Sequence, residues 1–426
     1  MLLVPGTGHF YCGSCLRDDW LAKALVRLGH ETEVVPLYLP LVRESGASDE
    51  RVRMGGINMY LQQKSAAARY LPGFVADWLD RPGLLRWASR RGSMTEAPDL
   101  GPMTVSMLQG EDGRQARELE KLVAHVTSRP KPDVIVLSNA MLTGSARALR
   151  EATGAPVVCS LQGEAPFLDA LPAPWSERSW AALRASAESV CRFVAVSRSY
   201  GELMVERLGL DGDRVAVIHN GLETDDFVET PPRLGERRPK TIGYLARICH
   251  DKGADQLVEA FLRLKRDPDQ AETRLRLAGV MLDEDRPFVD ALRRRVAEAG
   301  FEADLDVLPN VAREEKLAFL RTLSVFSVPA SYGESFGLYV LEALAAGVPV
   351  VQPDTASFPE LIEATGGGLL VERDDSAALA EGLATLLRDP ERAARLAESG
   401  RAAVLERFTA DRMARDFEDV CRMSAT

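Results

Sequence analysis

Cysteine is scarce and scattered. Cys12, Cys15, Cys159, Cys191, Cys249 and Cys421 are spread over 426 residues. That distribution makes no disulfide framework, and reduced thiols in a cytoplasmic protein are the simpler reading. Cys12 and Cys15 form one Cys-x-x-Cys, but without a second Cys or His pair the ligand count of a zinc site is not met. The five histidines, His9, His30, His125, His219 and His250, fall at no metal-ligand spacing. There is no run of about 18 apolar residues and no charged-then-apolar leader, so neither a membrane span nor a secretory signal is expected. An excess of basic charge is missing too. Lys and Arg number 52 against 63 Asp and Glu, a net charge of -11 with a pI near 5.2. That argues against nucleic acid as a partner, while leaving room for a local basic site that takes a phosphorylated ligand. No internal repeat and no low-complexity tract is visible.

What is present points to two cores. The length exceeds one ordinary domain, and a hydrophobic content of 46% can fill two interiors. Short apolar runs alternate with longer helical stretches, the βαβ pattern of doubly wound parallel sheets. In the first half the strand candidates are Leu2–Pro5, Glu33–Leu37, Ile57–Leu61, Met103–Met107, Val134–Leu137, Pro156–Ser160, Phe193–Val196 and Val215–Ile218. In the second half they are Thr241–Leu245, Arg274–Leu277, Leu305–Leu308, Val325–Val328, Val348–Val351 and Leu369–Val371. A Pro-rich, charged break over Glu229–Lys240 reads as a linker. The expected division is therefore 1–228, a linker at 229–240, and 241–407. A last helix over 408–426 starts near Thr409, puts Phe417 and Val420 on one face, and is expected to return to the first domain. Two Rossmann-like sheets joined by a hinge would leave a ligand crevice at the carboxyl ends of their strands.

An insertion at about 45–110 breaks the rhythm. Within it, Leu71, Phe74, Val75, Trp78 and Leu79 fall at helical spacing. From Lys64 to Arg91 there are six basic residues and two acidic ones. One reading is a helix packed on its own domain with a solvated basic face. The other is a lid or surface-seeking helix that meets an amphiphilic acceptor or a membrane, which would place the protein peripherally at that surface.

The densest chemistry lies in Ser331–Val351, SYGESFGLYVLEALAAGVPVV. Glu334 and Glu342 stand eight residues apart around a Phe336-Gly337 turn that opens into a helical run. The free amides at such a helix start, from Phe336, Gly337 and Leu338, attract phosphate. Two carboxylates flanking a phosphate site suit a ligand with a diphosphate in the middle and hydroxyls at both ends, as in a nucleotide diphospho-sugar. Earlier, Arg247 ends the run Thr-Ile-Gly-Tyr-Leu-Ala, and Lys252-Gly253 precedes a helix. Two cations there would stabilise a departing diphosphate; alone, they would read as surface charge. Near the N-terminus Gly6, Gly8 and Gly13 surround a strand-to-helix turn. Tyr11 stands where the third glycine of a dinucleotide fingerprint belongs, so that motif is a poor match. Gly13 reads either as a ligand contact or as plain turn geometry.

Taken together, Gly-Tyr-Leu-Ala-Arg-Ile with Asp-Lys-Gly, His-Asn-Gly-Leu-Glu at 219–223, Leu-Gly-His-Glu at 28–31 and the Glu334/Glu342 stretch resemble the retaining family 4 glycosyltransferases of the GT-B fold. The resemblance implies an α/β chain of two Rossmann-like domains facing across a cleft, with the acceptor in the first and the nucleotide sugar in the second. It implies that Arg247 and Lys252 hold the donor diphosphate and that Glu334 reaches the transferred sugar. Glu342 would take the ribose hydroxyls, and the backbone of Phe336, Gly337 and Leu338 would meet the sugar and phosphate. No metal ion and no other cofactor is expected.

The sequence departs from the family at Gln162, where many members carry a histidine. An amide cannot act as a base near neutral pH but can donate to a sugar hydroxyl. A retaining transfer in which the leaving phosphate oxygen takes the acceptor proton needs no side-chain base. Glu164 reads as an acceptor-binding carboxylate or a loop acid, and His9 as an acceptor contact or a turn residue. His219, before an Asn-Gly turn, reads as structural. The expectation is a hexosyltransferase that uses UDP-glucose, UDP donors being common in the family. It would act on a glycan, lipid-linked or small-molecule hydroxyl acceptor, and hinge closure would exclude water. A nucleotide-sugar epimerase of similar build and a non-catalytic nucleotide-sugar-binding subunit are the alternatives. Gln162 speaks against the first.

Overall fold

The computed structural model describes residues 1–6, 13–39, 41–42, 48–49, 52–65, 97–229 and 239–425. His9, Cys12, the apolar stripe Leu71–Leu79 and most of the expected linker lie outside these residues. The chain divides into two compact units. The first is Met1–His219 with Asp411–Thr426, and the second is Asn220–Ala410.

In the first unit the strands are β1 (Leu2–Val4), β2 (Val34–Pro36), β3 (Leu41–Val42), β4 (Ser48–Asp49), β5 (Ile135–Leu137), β6 (Val157–Leu161), β7 (Arg192–Ala195) and β8 (Val215–Val217). The second unit carries β9 (Thr241–Leu245), β10 (Arg274–Gly279), β11 (Leu305–Pro309), β12 (Val325–Phe326), β13 (Val350–Pro353) and β14 (Gly368–Val371). β3 and β4 form a small antiparallel pair. Among the described residues each unit has one six-stranded parallel sheet, ordered β2-β1-β5-β6-β7-β8 and β11-β10-β9-β12-β13-β14. The central strands read as continuous apolar runs because helices cover both faces. Ile242 of β9 pairs with Leu275 on one side and Val325 on the other, and all three are fully buried. The second order is that of a doubly wound nucleotide-binding sheet, in which strand order reverses between β9 and β12.

Two expected strands are helices. Ile57–Leu61 falls within the helix Gly56–Lys64, and Met103–Met107 within Ala97–Leu108. Burial of Asn58, Met59, Gln62 and Gln63 follows the four-residue repeat of a helix face, which a short apolar run does not reveal. In the second case tertiary packing overrides the β-branched composition. Gly101 lets that helix lie against Trp175, where a Cβ would come within 2.4 Å of the indole.

The boundary between units also falls earlier than expected, at 219/220. Residues 220–229 are tied to the second unit. Leu222 exchanges backbone hydrogen bonds of 2.8 Å with Phe408 and Ala410. Arg401 donates to the carbonyls of Phe227 at 2.5 Å and Glu229 at 3.2 Å.

The final helix, Ala410–Ala425, packs in the first unit through Met413, Ala414, Phe417 and Val420. Arg27 pairs with Asp411 at 2.6 Å, and the buried Arg17 guanidinium sits 5.3 Å above the Phe417 ring. Phe417→Ala removes a fully buried ring and the face on which Arg17 rests, so it should cost about 3–5 kcal/mol. Thermal unfolding of the purified chain should show the first unit's transition lowered by on the order of 10 °C. An unshifted transition would show that the helix adds nothing to that core.

Candidate active site

The charged residues of the second unit collect where the strand order reverses, at the carboxyl ends of β9 and β12. Gly253 makes this meeting geometrically possible. It holds φ +71°, and a Cβ there would lie 1.9 Å from the Pro329 carbonyl oxygen, so the loop after β9 can cross the loop after β12 only with glycine at the contact. The crossing carries Lys252 to Glu334, with Nζ 2.6 Å from Oε2. Tyr339 donates to the same oxygen at 2.8 Å and Tyr332 at 3.1 Å, while Lys252 also bonds the Tyr332 hydroxyl. The ammonium stands 4.7 Å from the Tyr332 ring centre and 5.6 Å from that of Tyr339.

Glu334 is 8% exposed. Burial pushes its carboxyl upward, but the Lys252 charge and the hydrogen bonds from Lys252, Tyr339 and Tyr332 outweigh that, and the group is held below its ordinary value. Burial and the neighbouring carboxylate raise both tyrosine hydroxyls, so they remain donors across the neutral range.

Gly337, at φ +85°, caps the helix Leu338–Ala345. Leu338 and Tyr339 open its first turn, where amides have no intrahelical acceptor. Glu342 stands one turn in, 7% exposed, and pairs at 2.7 Å with Lys316 of the helix Arg313–Arg321. Arg247 is gripped along one edge. Its Nε and Nη2 reach the two oxygens of Asp285 at 3.0 and 2.9 Å, and Nη2 reaches Glu284 at 2.5 Å. Donating to the Asp285 carboxylate is the main cause that raises the guanidinium above its ordinary value. Asp285 is itself anchored by the Leu282 amide at 2.9 Å.

The predicted residues Lys252 and Glu334 are thus in direct contact, whereas Arg247 and Glu342 each have a partner the sequence reading missed. Tyr332 and Tyr339 lay inside the stretch already singled out and could have been weighed as hydroxyl donors. Asp285 and Lys316 follow other strands and gave no local signal.

The first unit holds a second polar cluster. Glu164 was a candidate acceptor carboxylate; the structure instead uses it as an internal tie. Its Oε1 accepts from the amides of Ala140 at 2.8 Å and Gln162 at 3.1 Å. Its Oε2 accepts from the Gly163 amide at 3.0 Å and the Tyr200 hydroxyl at 2.8 Å. These bonds fill its ordinary lone-pair positions and join the loops after β5 and β6 to the helix Arg198–Leu208. Gln162 was read as an amide able to donate to a sugar hydroxyl. Its amide nitrogen donates to the Ser138 carbonyl at 2.6 Å and Asp18 Oδ1 at 3.3 Å. The reversed amide would set two acceptors against each other, so the orientation is fixed by chemistry. Asp18 is held by Arg17 Nη1 at 2.9 Å and by the Ser138 hydroxyl. Burial raises its carboxyl, against Arg17 and those hydrogen bonds.

Gly13 begins the helix Gly13–Arg27, and a Cβ there would meet nothing within 4 Å among the described residues, whose packing therefore does not demand glycine at that position. A cavity of about 410 Å³ in this unit is lined by Val105, Leu108, Thr143, Arg147, Arg178 and Ala182, and none of the predicted residues lines it. Among the described residues no cluster of His, Cys, Asp or Glu is placed to hold a metal ion, and no helix is long and apolar enough to cross a membrane.

Comparison with known proteins gives a consistent answer. Residues 20–226 match the family model described as Glycosyltransferase Family 4, and residues 228–403 match Glycosyl transferases group 1. The chain is 31% identical over 218 residues to the lipopolysaccharide core biosynthesis mannosyltransferase LpsB of Rhizobium meliloti, covering 48% of this chain and 60% of that protein. It is 30% identical over 217 residues to a GDP-mannose-dependent phosphatidylinositol monomannoside mannosyltransferase of Mycobacterium tuberculosis, covering 47% and 54%. Those matches therefore span little more than half of each relative. A D-inositol 3-phosphate glycosyltransferase of Pseudarthrobacter chlorophenolicus aligns over 90% of this chain and 91% of its own length at 27% identity. Among solved structures, a glycosyltransferase of Rickettsia africae superposes with TM-score 0.63 at 17% identity, over 99% of this chain and 97% of that one. Anabaena Alr3699/HepE, solved with UDP, superposes with TM-score 0.62 at 20% identity, over 73% and 83%. At such identities the superpositions speak for the fold.

The depressed Glu334 carboxyl links stability to pH. Its folded value lies below the ordinary 4.5, so its contribution is complete above about pH 4.5 and is lost as pH falls through the folded value. Denaturant unfolding of the second unit between about pH 5 and 3 should weaken less steeply in Glu334→Gln than in the natural chain. Identical slopes would show that this carboxyl is not held ionised by its partners.

Proposed function

Because the chain belongs to glycosyltransferase family 4 and has the GT-B fold, we propose that it moves a hexose from a nucleoside diphosphate sugar to a hydroxyl acceptor with retention at the anomeric carbon. The observation that carries this reading is the buried Glu334 carboxylate paired with half-buried Lys252 beside an open helix start at the switch point of a doubly wound sheet. Open α/β sheets bind nucleotides at that point. Arg247 and Lys252 supply positive charge for the diphosphate, the first-turn amides at Gly337 and Leu338 add donors, and Glu342 takes the ribose hydroxyls. Glu334 accepts from hydroxyls of the sugar. These charges and dipoles serve the diphosphate in place of a divalent ion.

In the reaction the bond between C1 and the diphosphate oxygen breaks and its electron pair leaves with the phosphate. The acceptor oxygen bonds C1 on the same face, and its proton passes to the departing phosphate oxygen. The first unit supports a step without a side-chain base. Gln162 is an amide with its NH2 turned inward, and Glu164 is filled by internal donors. We assign donor binding to Asn220–Ala410 and acceptor binding to the first unit. UDP-glucose is the proposed donor, with GDP-mannose, named in a relative, as its competitor. None of the five described cysteines is in a disulfide, which suits a cytoplasmic enzyme of glycan or glycoconjugate synthesis.

Lys252→Ala and Glu334→Ala should each lower sugar transfer by at least about 100-fold with far-ultraviolet circular dichroism unchanged, since each removes a group that meets developing charge or the sugar. Unimpaired turnover in either variant would reject the site. In a thermal-shift panel of UDP-, GDP- and ADP-sugars the true donor, at about 100 times its Kd, should stabilise the protein by roughly 2.7 kcal/mol. A flat response across the panel would reject a nucleotide-sugar donor.

A further inference from the structure

The donors around Glu334 are unevenly distributed. Lys252, Tyr332 and Tyr339 all converge on Oε2, and among the described residues Oε1 accepts from nothing. An ammonium is a compact point charge on a flexible stem, so Lys252 alone neutralises the carboxylate without fixing its plane. The two hydroxyls approach from different elements. Tyr332 comes from the loop after β12, and Tyr339 from the first turn of the helix Leu338–Ala345. Tyr339 is 9% exposed and packs against Phe326 with ring centres 6.2 Å apart, which holds its hydroxyl in place. Three donors saturate one oxygen and pin it, and the other oxygen is then aimed by the rigidity of the carboxylate group.

We propose that Tyr332 and Tyr339 are positioning residues that clamp Oε2 of Glu334, so that Oε1 alone is presented to a hydroxyl of the transferred sugar. The inference rests on the reading of Glu334 as the sugar-facing carboxylate and adds two residues that determine its aim. A carboxylate held in one orientation before the ligand arrives does not have to be ordered by it, and that preorganisation favours the sugar end of the donor while leaving the nucleotide end untouched. A role limited to packing would not make this distinction. Loss of a packing contact in the helix Leu338–Ala345 would disturb the phosphate and ribose contacts of that helix together with the sugar.

The test uses the full chain, with Tyr339→Phe and Tyr332→Phe made alone and on a Glu334→Ala background. Isothermal titration measures UDP and UDP-glucose, or GDP and GDP-mannose if the donor panel selects that pair. Steady-state transfer gives kcat and donor KM. For Tyr339→Phe the nucleotide Kd should stay within about twofold, while nucleotide-sugar affinity and kcat each fall about 5- to 10-fold. Tyr332→Phe should act in the same direction and more weakly, its bond being longer. On the Glu334→Ala background neither change should weaken nucleotide-sugar binding further, because the clamp then has nothing to hold. Equal weakening of nucleotide and nucleotide sugar would overturn the proposal, as would a full Tyr339→Phe effect without Glu334 or unchanged kinetics in both variants. Natural protein that binds neither ligand would overturn the underlying site reading, and the clamp with it.

Discussion

A carboxylate shut away from water has to be neutralised, and the local architecture of the second unit follows from how Glu334 meets that demand. Its partner Lys252 comes from a different loop, so two loops must cross at van der Waals distance. Gly253 at φ +71° is the residue that allows the crossing, under the Pro329 carbonyl. Gly337 then turns the chain into the helix that delivers Tyr339 to the same oxygen. Removing one member of such a set leaves an uncompensated charge in a low-dielectric setting, which costs far more than the net worth of the pair. The loops after β9 and β12 are therefore held in register by electrostatics as much as by packing.

The same logic recurs at the neighbouring charges. Arg247 is held along one edge by Asp285, and Glu342 through one oxygen by Lys316. Each group is oriented by a partner that engages only part of it. The Glu334 and Glu342 carboxylates are already largely removed from bulk water, so the cost of desolvating them is borne by the fold rather than by an entering ligand. The first unit has its own version. Buried Arg17, Asp18 and Ser138 form a network with half-buried Gln162 at the ends of β5 and β6, and Arg17 rests on Phe417 of the returning C-terminal helix.

Much of this was legible in the chain because the informative spacings are local. β9 is the expected Thr241–Leu245, and Glu334, Gly337 and Glu342 lie on one loop and one helix turn, where sequence distance fixes spatial distance. What escaped depended on distant partners. Asp285 and Lys316 reach the site from β10 and β11, more than twenty residues from the groups they hold, and nothing in their own surroundings announces it. Glu164 looked like a loop acid free to meet an acceptor, because Tyr200 and the Ala140 amide, which fill it, are separated from it by dozens of residues. Ile57–Leu61 and Met103–Met107 were misread for a related reason. A five-residue apolar run carries no period of its own, and packing against Trp175 decided the second case.

The central claim is that Glu334, aimed by Lys252 and the tyrosines, meets the sugar of a nucleotide donor. It is tested most directly by a crystal structure of the chain with a non-hydrolysable nucleotide sugar. The account predicts Oε1 of Glu334 within hydrogen-bond distance of a sugar hydroxyl, with Oε2 still accepting from Lys252 or Tyr339, and Glu342 on the ribose. A donor bound away from the carboxyl ends of β9 and β12, or a Glu334 facing no sugar atom, would contradict it.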